Sequence, residues 1–169
     1  IDGAPSYGTG ERVGDFQVFI PTVAVTSIGD GGGSIAVVDA LKRLTVGPES
    51  AGSTPGPACY GRGGTSATIT DAMCVLGLIG HGALGYDSVT VRRDLAEAAV
   101  DAIAAPLGRT REQAAEAIVQ VAISGMYREI SKLAARQGVD ARDFCLLPFG
   151  GAGPMLGALL ARALSMHEV

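Results

Sequence analysis

Residues 144–164 read FCLLPFGGAGPMLGALLARAL and predict a strand, a glycine turn and a helix in succession. The apolar run FCLLPF is short and ends at a glycine, which predicts a buried strand over 144–149. Pro154 suits the first turn of a helix, where a backbone N–H has no intrahelical acceptor. The turn contains Gly150, Gly151 and Gly153. Such a turn lets a ligand approach the backbone and the N-terminus of the helix, but glycine also serves tight turns that bind nothing, so both interpretations stay open.

Three further helices are predicted before this turn. Thr110 and Gln113 form a capping-box signature, and apolar residues then recur at three- and four-residue steps up to Gly138, which predicts one long core-facing helix. A shorter helix is expected over 92–105, where proline and glycine follow, and another from residue 70 or 71 to about 78.

The glycine-rich first half of the chain predicts strands and loops. Short β-like runs lie at 16–20, 23–28 and 35–38, and the turn residues between them indicate hairpins that feed a sheet. Residues 47–64, GPESAGSTPGPACYGRGG, predict a long irregular loop. Loops of this length inside a compact domain are commonly functional or disordered.

Three consecutive glycines, Gly31, Gly32 and Gly33, lie between two of the β-like runs. Ordering them costs backbone entropy, so an interior position indicates either a positive φ or close contact with a ligand. The alternative is a flexible hairpin end in which Asp30 is a solvated turn residue.

Asp30, Glu49 and Asp71 are the candidate catalytic carboxylates. Carboxylates act as general bases or bind hard metal ions when several converge, and one sequence does not establish convergence. For Asp71 the alternative role is to cap a helix N-terminus. Glu49 lies among Gly, Pro and Ser, with no evident helix or salt bridge to employ it. Cys59 is either a nucleophile served by a distant histidine, such as His81, or a buried inert thiol.

Composition excludes several classes of protein. The net charge of −4 and the lack of a dense Lys/Arg run disfavour nucleic acid as a partner. No apolar stretch approaches the roughly 18 residues of a membrane-spanning helix. Three irregularly spaced cysteines fit neither a disulfide framework nor a zinc site, so we expect reduced thiols, a cytoplasmic location and no metal-ligand cluster. The 169 residues predict a single domain, and the absence of an initiating Met favours a start within a longer protein.

Three segments in this order resemble the hydantoinase A/oxoprolinase family, which includes N-methylhydantoinase, 5-oxoprolinase and acetone carboxylase subunits. They are SIGDGGGSIAVVDA at 27–40, VGPESAGSTPGPACYGRGGTSATITDA at 46–72 and LLPFGGAGPMLGALLARAL at 146–164. The resemblance covers nearly the whole chain, and the middle segment is the most specific. Two positions depart from the family pattern, since Asp30 stands where a small residue is usual and Met73 where Asn is common, and both bear on the expected substrate pocket.

The resemblance implies an α/β fold: a partial lobe of an actin-like (ribonuclease H-like) ATPase, with a mixed sheet and a long core helix. The chain would be the C-terminal part of the catalytic region. Gly150, Gly151 and Gly153 would correspond to the turn that lies against adenosine. Gly31, Gly32 and Gly33, with the loop around Glu49 and Asp71, would approach nucleotide or substrate. Neither phosphate-binding loop of the family is among these residues.

The chemistry that the resemblance implies is ATP-dependent opening of a cyclic amide. ATP with Mg would phosphorylate the carbonyl oxygen and so make the ring C–N bond cleavable. A hydantoinase B-type subunit or domain is the expected partner, and a homo-oligomer is possible. The alternative is a nucleotide-binding or scaffolding member of the actin-like superfamily without turnover. In either case we expect the isolated chain to show little ATPase activity.

Overall fold

The computed structural model describes residues 7–8, 11–13, 15–23, 27–80, 83–84 and 89–169. The strands are β1 Tyr7–Gly8, β2 Glu11–Val13, β3 Phe16–Val18, β4 Thr22–Val23, β5 Ser34–Val38, β6 Leu44–Ser50, β7 Ala83–Leu84 and β8 Val89–Thr90. The α-helices are α1 Ile69–Val75, α2 Arg93–Leu107, α3 Arg111–Gln137 and α4 Gly153–Leu164. Two 3-10 turns are Ala58–Tyr60 and Ala141–Asp143.

The described strands pair as two-stranded antiparallel ladders: β1 with β4, β2 with β3, β5 with β6 and β7 with β8. The β5–β6 ladder is the longest, with Val37 opposite Thr45, and its register shifts between Ser34 and Ala36. Ala36 also donates its N–H to the carbonyl of Ala67, which ties this ladder to the segment that leads into α1.

Helix α1 is the centre of the core. All seven of its residues are buried, as expected for a helix that packs on every side. It contacts α2, α3 and β5, while α4 packs against α3. Residues from all four helices and from β5 form one continuous hydrophobic cluster. This arrangement confirms the predicted α/β class and the long core helix.

Helix boundaries agree with the local sequence signals. At α3, Thr110 accepts a hydrogen bond from the Gln113 N–H at 3.2 Å, the Gln113 side chain accepts one from the Thr110 N–H, and Gly138 ends the helix in the left-handed region. Helix α2 does not stop before Pro106 as predicted: it includes Pro106 in its last turn, ends at Leu107 and has Gly108 as its C-cap. Helix α1 begins at Ile69, and its N-cap is Thr68.

Two sequence-based predictions are wrong in part or in full. Residues 144–149 form no strand, and Leu147 and Phe149 are 81% and 84% exposed. An apolar run becomes a strand only beside a hydrogen-bonding strand. In the described part of the chain, the N–H groups of this segment donate only to Ala141, from Phe144, and to Glu168, from Leu146, and neither acceptor lies in a strand. The loop predicted over 47–64 is shorter, because residues 47–50 belong to β6 and Ala58–Tyr60 forms a 3-10 turn. Of the run predicted at 23–28, residues 24–26 lie outside the described residues.

Within the described ranges no helix combines the length and the apolar character that a membrane span needs.

Candidate functional site

The two glycine segments predicted from the sequence meet at one cleft. It has a volume of about 220 Å³, and we call it the glycine cleft. Its lining residues are Gly32, Gly33, Gly52, Pro57, Tyr60, Thr70, Gly151, Ala152 and Met155. Most of this lining is backbone or small side chain, so a ligand in the cleft would contact main chain.

Thr70, in the first turn of α1, holds the Gly31–Gly33 segment in place. Its N–H and its Oγ1 both donate to the carbonyl of Gly32, at 3.0 and 2.9 Å. Gly32 itself has no room for a side chain, because a Cβ there would lie 2.8 Å from Thr70 Oγ1 and 3.3 Å from the Cβ of Ala152. The glycine is therefore required for α1 and the start of α4 to come together at this cleft.

The half-buried Tyr60 is the one titratable side chain among the described residues that line the cleft. Its hydroxyl lies within hydrogen-bonding reach of the Thr70 side chain. Burial, with a contribution from the neighbouring Cys59, raises the pKa of Tyr60. The hydroxyl consequently stays protonated near neutral pH. Because the Thr70 proton is directed to the Gly32 carbonyl, the Tyr60 hydroxyl donates to Thr70 and its oxygen can accept a hydrogen bond from a ligand.

The turn before α4 presents backbone to the cleft. Gly150 adopts a φ of +81°, which favours glycine. Gly153 packs against Pro148, and Gly151 has open space where a side chain would project. None of the described side chains caps α4, and Pro154 occupies its first turn. The uncapped N-terminus of a twelve-residue helix favours an electronegative group.

Asp71 is fully buried beneath the cleft. Its Oδ2 accepts hydrogen bonds from the N–H and the hydroxyl of Thr68, at 2.9 and 2.8 Å. It also accepts from the backbone N–H groups of Ala58, at 3.2 Å, and Cys59, at 2.7 Å. The carboxylate thus caps α1 and fixes the turn that carries Tyr60, which agrees with the capping role considered for it.

Cys59 and Cys74 are buried free thiols next to this carboxylate. Burial is the main cause that raises the pKa of each, and the charge of Asp71 adds to it. A buried thiol with a raised pKa is a poor nucleophile, which favours the inert interpretation of Cys59. His81, considered as a distant base for it, lies outside the described residues.

The other two predicted carboxylates do not line the cleft. Glu49 is exposed near the end of β6, one residue before Ser50, whose Oγ lies 2.9 Å from where a Cβ on Gly33 would be. Asp30 is half-buried in a neighbouring cavity that it shares with Glu129. Burial and the charge of Glu129 raise the pKa of Asp30, while Arg128 opposes the shift. Met73, where the family pattern differs, is buried in the core and does not line the cleft.

The described lining of the cleft contains no carboxylate, imidazole or thiol. Among the residues with described positions, no three His, Cys, Asp or Glu side chains lie together as metal ligands. Tyr60 and Thr70 were missed as site residues in the sequence. The sequence feature that could have identified Thr70 is its position beside Asp71 in the capped first turn of α1. The sequence alone does not show that this turn faces the two glycine segments, which are distant along the chain.

Comparison with protein families gives a match over residues 1–169 to the model described as Hydantoinase/oxoprolinase. The caprolactamase alpha subunit of Pseudomonas jessenii is 42% identical over 158 residues, 91% of this chain and 22% of the relative. The acetophenone carboxylase gamma subunit of Aromatoleum aromaticum is 42% identical over 141 residues, 82% of this chain and 19% of the relative.

Among solved structures, the crystal structure of ATP-dependent caprolactamase from Pseudomonas jessenii matches with a TM-score of 0.84 and 37% identity. The match covers 95% of this chain and 23% of that one. The chain therefore has the fold of a corresponding part of that enzyme and spans about a fifth of the length of these relatives.

Proposed function

The chain belongs to the hydantoinase/oxoprolinase family, and from this premise we propose that it is part of an ATP-dependent enzyme that opens the C–N bond of a cyclic amide. Hydantoins, 5-oxoproline and lactams are the substrate class. Residues 1–169 would be one domain from the C-terminal part of the catalytic region. ATP would supply the phosphoryl group that activates the carbonyl oxygen of the ring.

The observation that carries the proposal is the meeting of the two glycine segments at one backbone-lined cleft. We assign the adenosine side of the nucleotide to it, with Gly151 and its neighbours Gly150 and Gly153 against the ring system. The cleft is smaller than the about 300 Å³ at which pockets for whole drug-sized ligands begin. It therefore suits one ring system of a nucleotide whose phosphates lie outside it.

The other residues predicted for the site have different roles according to their position relative to the cleft. Gly32 and Gly33 line the cleft together with the α4 turn and are held by Thr70, and Gly31 precedes them outside the lining. Buried Asp71 positions Tyr60 and Thr70. Glu49 is exposed near Ser50 and is the carboxylate available to a substrate at the edge of the cleft. Asp30 lies in the neighbouring cavity together with Glu129, so we assign it no step at the cleft.

Magnesium does not fit the cleft by itself, because its described lining contains no carboxylate. We therefore assign no step to it here and expect it to arrive bound to the phosphates of ATP.

We also propose that the protein is cytoplasmic, that it works with a hydantoinase B-type subunit and that it self-associates. The caprolactamase and acetophenone carboxylase subunits each share 42% sequence identity with this chain. A carboxylation that uses the same carbonyl activation is thus the second candidate activity.

The alternative to an enzyme is a nucleotide-binding or scaffolding protein that does not turn over ATP. It predicts nucleotide binding without substrate-dependent ATP consumption, whereas the enzyme proposal requires both in the complete protein with its partner subunit. An assay of ATP consumption against hydantoin, 5-oxoproline and caprolactam separates the two.

The direct test for this chain is calorimetric titration with ADP. We expect weak, saturable binding that Gly151→Leu weakens, because Gly151 lines the cleft and Leu would add a bulky side chain to that lining. Gly80→Leu is the matched control, since Gly80 is exposed and, like Gly151, has nothing within 4 Å of an added Cβ. Equal ADP affinity in Gly151→Leu and the unchanged protein would remove the adenosine assignment.

A further inference from the structure

A second cavity, larger than the glycine cleft, lies on another face of the molecule. It is an open groove of about 780 Å³, and it shares no lining residue with the glycine cleft. Its lining comes from β6 and the turn before it, the end of α2, the exposed side of α3 and Ala163 of α4. We call it the cationic groove, because Lys42, Arg109 and Arg128 line it and no Asp or Glu does among the described residues.

The floor of the cationic groove is a stripe along α3. Ala117, Val121, Ser124 and Arg128 follow one another at steps of four, three and four residues, so they lie on one face of the helix. This is the spacing at which a second helix packs side by side at a shallow angle. The small side chains of Ala117 and Ser124 allow the backbone of that helix to approach closely.

Apolar residues provide the contact area. Leu44, Leu107 and Val121 are half-buried, and Tyr127 is 43% exposed beside them. Together with Arg, Tyr is among the residues that contribute most to binding at protein interfaces. The groove therefore combines an apolar floor with cationic surroundings.

The charge of the groove is unbalanced in a chain whose net charge is −4. Lys42 and Arg109 form no ion pair with any described residue. The charge of Arg128, by contrast, acts on two nearby carboxyl groups, because it opposes the raised pKa of Asp30 and helps to lower the pKa of Glu129. Two cations at an apolar groove attract an acidic partner and repel a basic one.

We propose that the cationic groove is a docking site for an amphipathic helix of a partner polypeptide, with an apolar stripe flanked by Asp or Glu. The apolar stripe lies along Ala117, Val121 and Ser124, and the acidic flanks meet Lys42 and Arg109. The stripe from Ala117 to Arg128 spans about 16 Å, so a partner helix of about 11–15 residues covers it. This docking goes beyond the proposed activity and does not depend on it.

The probe is a fluorescein-labelled helical peptide of about 15 residues with Leu at three- and four-residue steps and Glu on both flanks. The matched peptide carries Lys in place of every Glu. We expect saturable anisotropy changes with the Glu peptide, at least about tenfold tighter than with the Lys peptide at low salt, and weakening as salt is added.

The variant Lys42→Glu/Arg109→Glu should weaken binding of the Glu peptide at least about fivefold and improve binding of the Lys peptide. Arg136→Glu is the control, because it reverses an exposed cation on α3 outside the groove. Val121→Glu should weaken the Glu peptide as well. Circular dichroism and ADP titration of each variant separate loss of docking from unfolding and from failure of the glycine cleft.

Three outcomes would overturn the docking proposal. They are no saturable binding of the Glu peptide up to about 1 mM, equal affinity for the two peptides, and unchanged affinity in the Lys42→Glu/Arg109→Glu variant.

Discussion

Thr70 donates two hydrogen bonds to the same acceptor, the carbonyl oxygen of Gly32, from its backbone N–H at 3.0 Å and from its Oγ1 at 2.9 Å. The two residues are 38 positions apart. This link joins the N-terminal turn of the central helix to the Gly31–Gly33 segment, and the glycine cleft lies against it. The hydroxyl of Thr70 is thus both a structural group and part of the candidate site.

Replacing Thr70 by Val tests that link. The change keeps the shape of the side chain but removes the hydroxyl, which leaves the Tyr60 hydroxyl without this partner. We expect the free energy of unfolding to fall by about 1–2 kcal/mol and ADP affinity to fall with it. Denaturant unfolding and ADP titration measure the two effects. Thr70→Ser retains the hydroxyl and should stay close to the unchanged protein, so similar losses in Ser and Val variants would contradict the role of the hydrogen bond.

Replacing Asp71 by Asn tests the buried carboxylate. Asn puts an NH₂ group where Asp71 accepts four hydrogen bonds, so at least one donor loses its acceptor. We expect a loss of about 2–3 kcal/mol in the free energy of unfolding. Asp143→Asn, at an exposed acid, should change it by less than about 0.5 kcal/mol. Full stability in Asp71→Asn with loss of substrate turnover in the complete enzyme would instead favour a catalytic role.

The three cysteines should differ in reactivity. Cys145 is exposed, whereas Cys59 and Cys74 are buried and have raised pKa values. We expect a disulfide reagent such as DTNB to modify one thiol rapidly and the other two only after denaturation. Cys145→Ser should remove the rapid phase. A rapid phase that survives this change would show that a buried thiol is accessible.

The raised pKa of Asp30 makes a prediction about pH. The folded state binds the Asp30 proton more tightly than the unfolded state does. Its contribution to stability is therefore complete below the ordinary pKa of 3.8 and is lost as the pH rises through the folded-state pKa. We expect Asp30→Asn to be more stable than the unchanged protein near neutral pH, with a difference that shrinks toward acidic pH.

Denaturant unfolding at several pH values measures this difference. Glu129→Gln should reduce the pH dependence without abolishing it, because Glu129 is a smaller cause of the raised pKa than burial. A stability difference that is independent of pH would contradict the prediction.

Gly125 and Asp30 should be energetically coupled. A Cβ at position 125 would lie 2.9 Å from Asp30 Oδ2, so Gly125→Ala forces this carboxylate to move. In the Asp30→Ala background the obstacle is absent, and Ala in place of a helical Gly should stabilise α3 by about 1 kcal/mol. We expect a smaller gain, or a loss, in the unchanged background. A double-mutant cycle with no coupling would show that Asp30 yields freely.

The elements that could be predicted are those whose sequence signals and hydrogen bonds lie within a few residues of each other. The capping box of Thr110 and Gln113 and the left-handed Gly138 fixed α3 at both ends, because their hydrogen bonds stay within one turn of the helix. By contrast, the apolar run 144–149 is not a strand, because strand formation requires a hydrogen-bonded neighbour that local sequence does not specify.

The same distinction between local and long-range features applies to the residues of the candidate site. Gly31–Gly33 and Gly150–Gly153 were identified from sequence because bare backbone is a local property. Asp71 was identified as an acid in a first helical turn, but its contact with Ala58 and Cys59 depends on how the 3-10 turn folds over α1. Asp30 and Glu49 were grouped with it by chemistry, and the fold places them outside the cleft lining.

The sequence by itself determined the helices, their caps, the flexible backbone positions and the family, since each of these is written in short-range patterns. Only the tertiary structure decided that α1 would bring Thr70 against Gly32, that α4 would face the same cleft, and that three cations would surround an apolar groove on α3. These arrangements depend on contacts between residues far apart in the chain, which form only when the core packs.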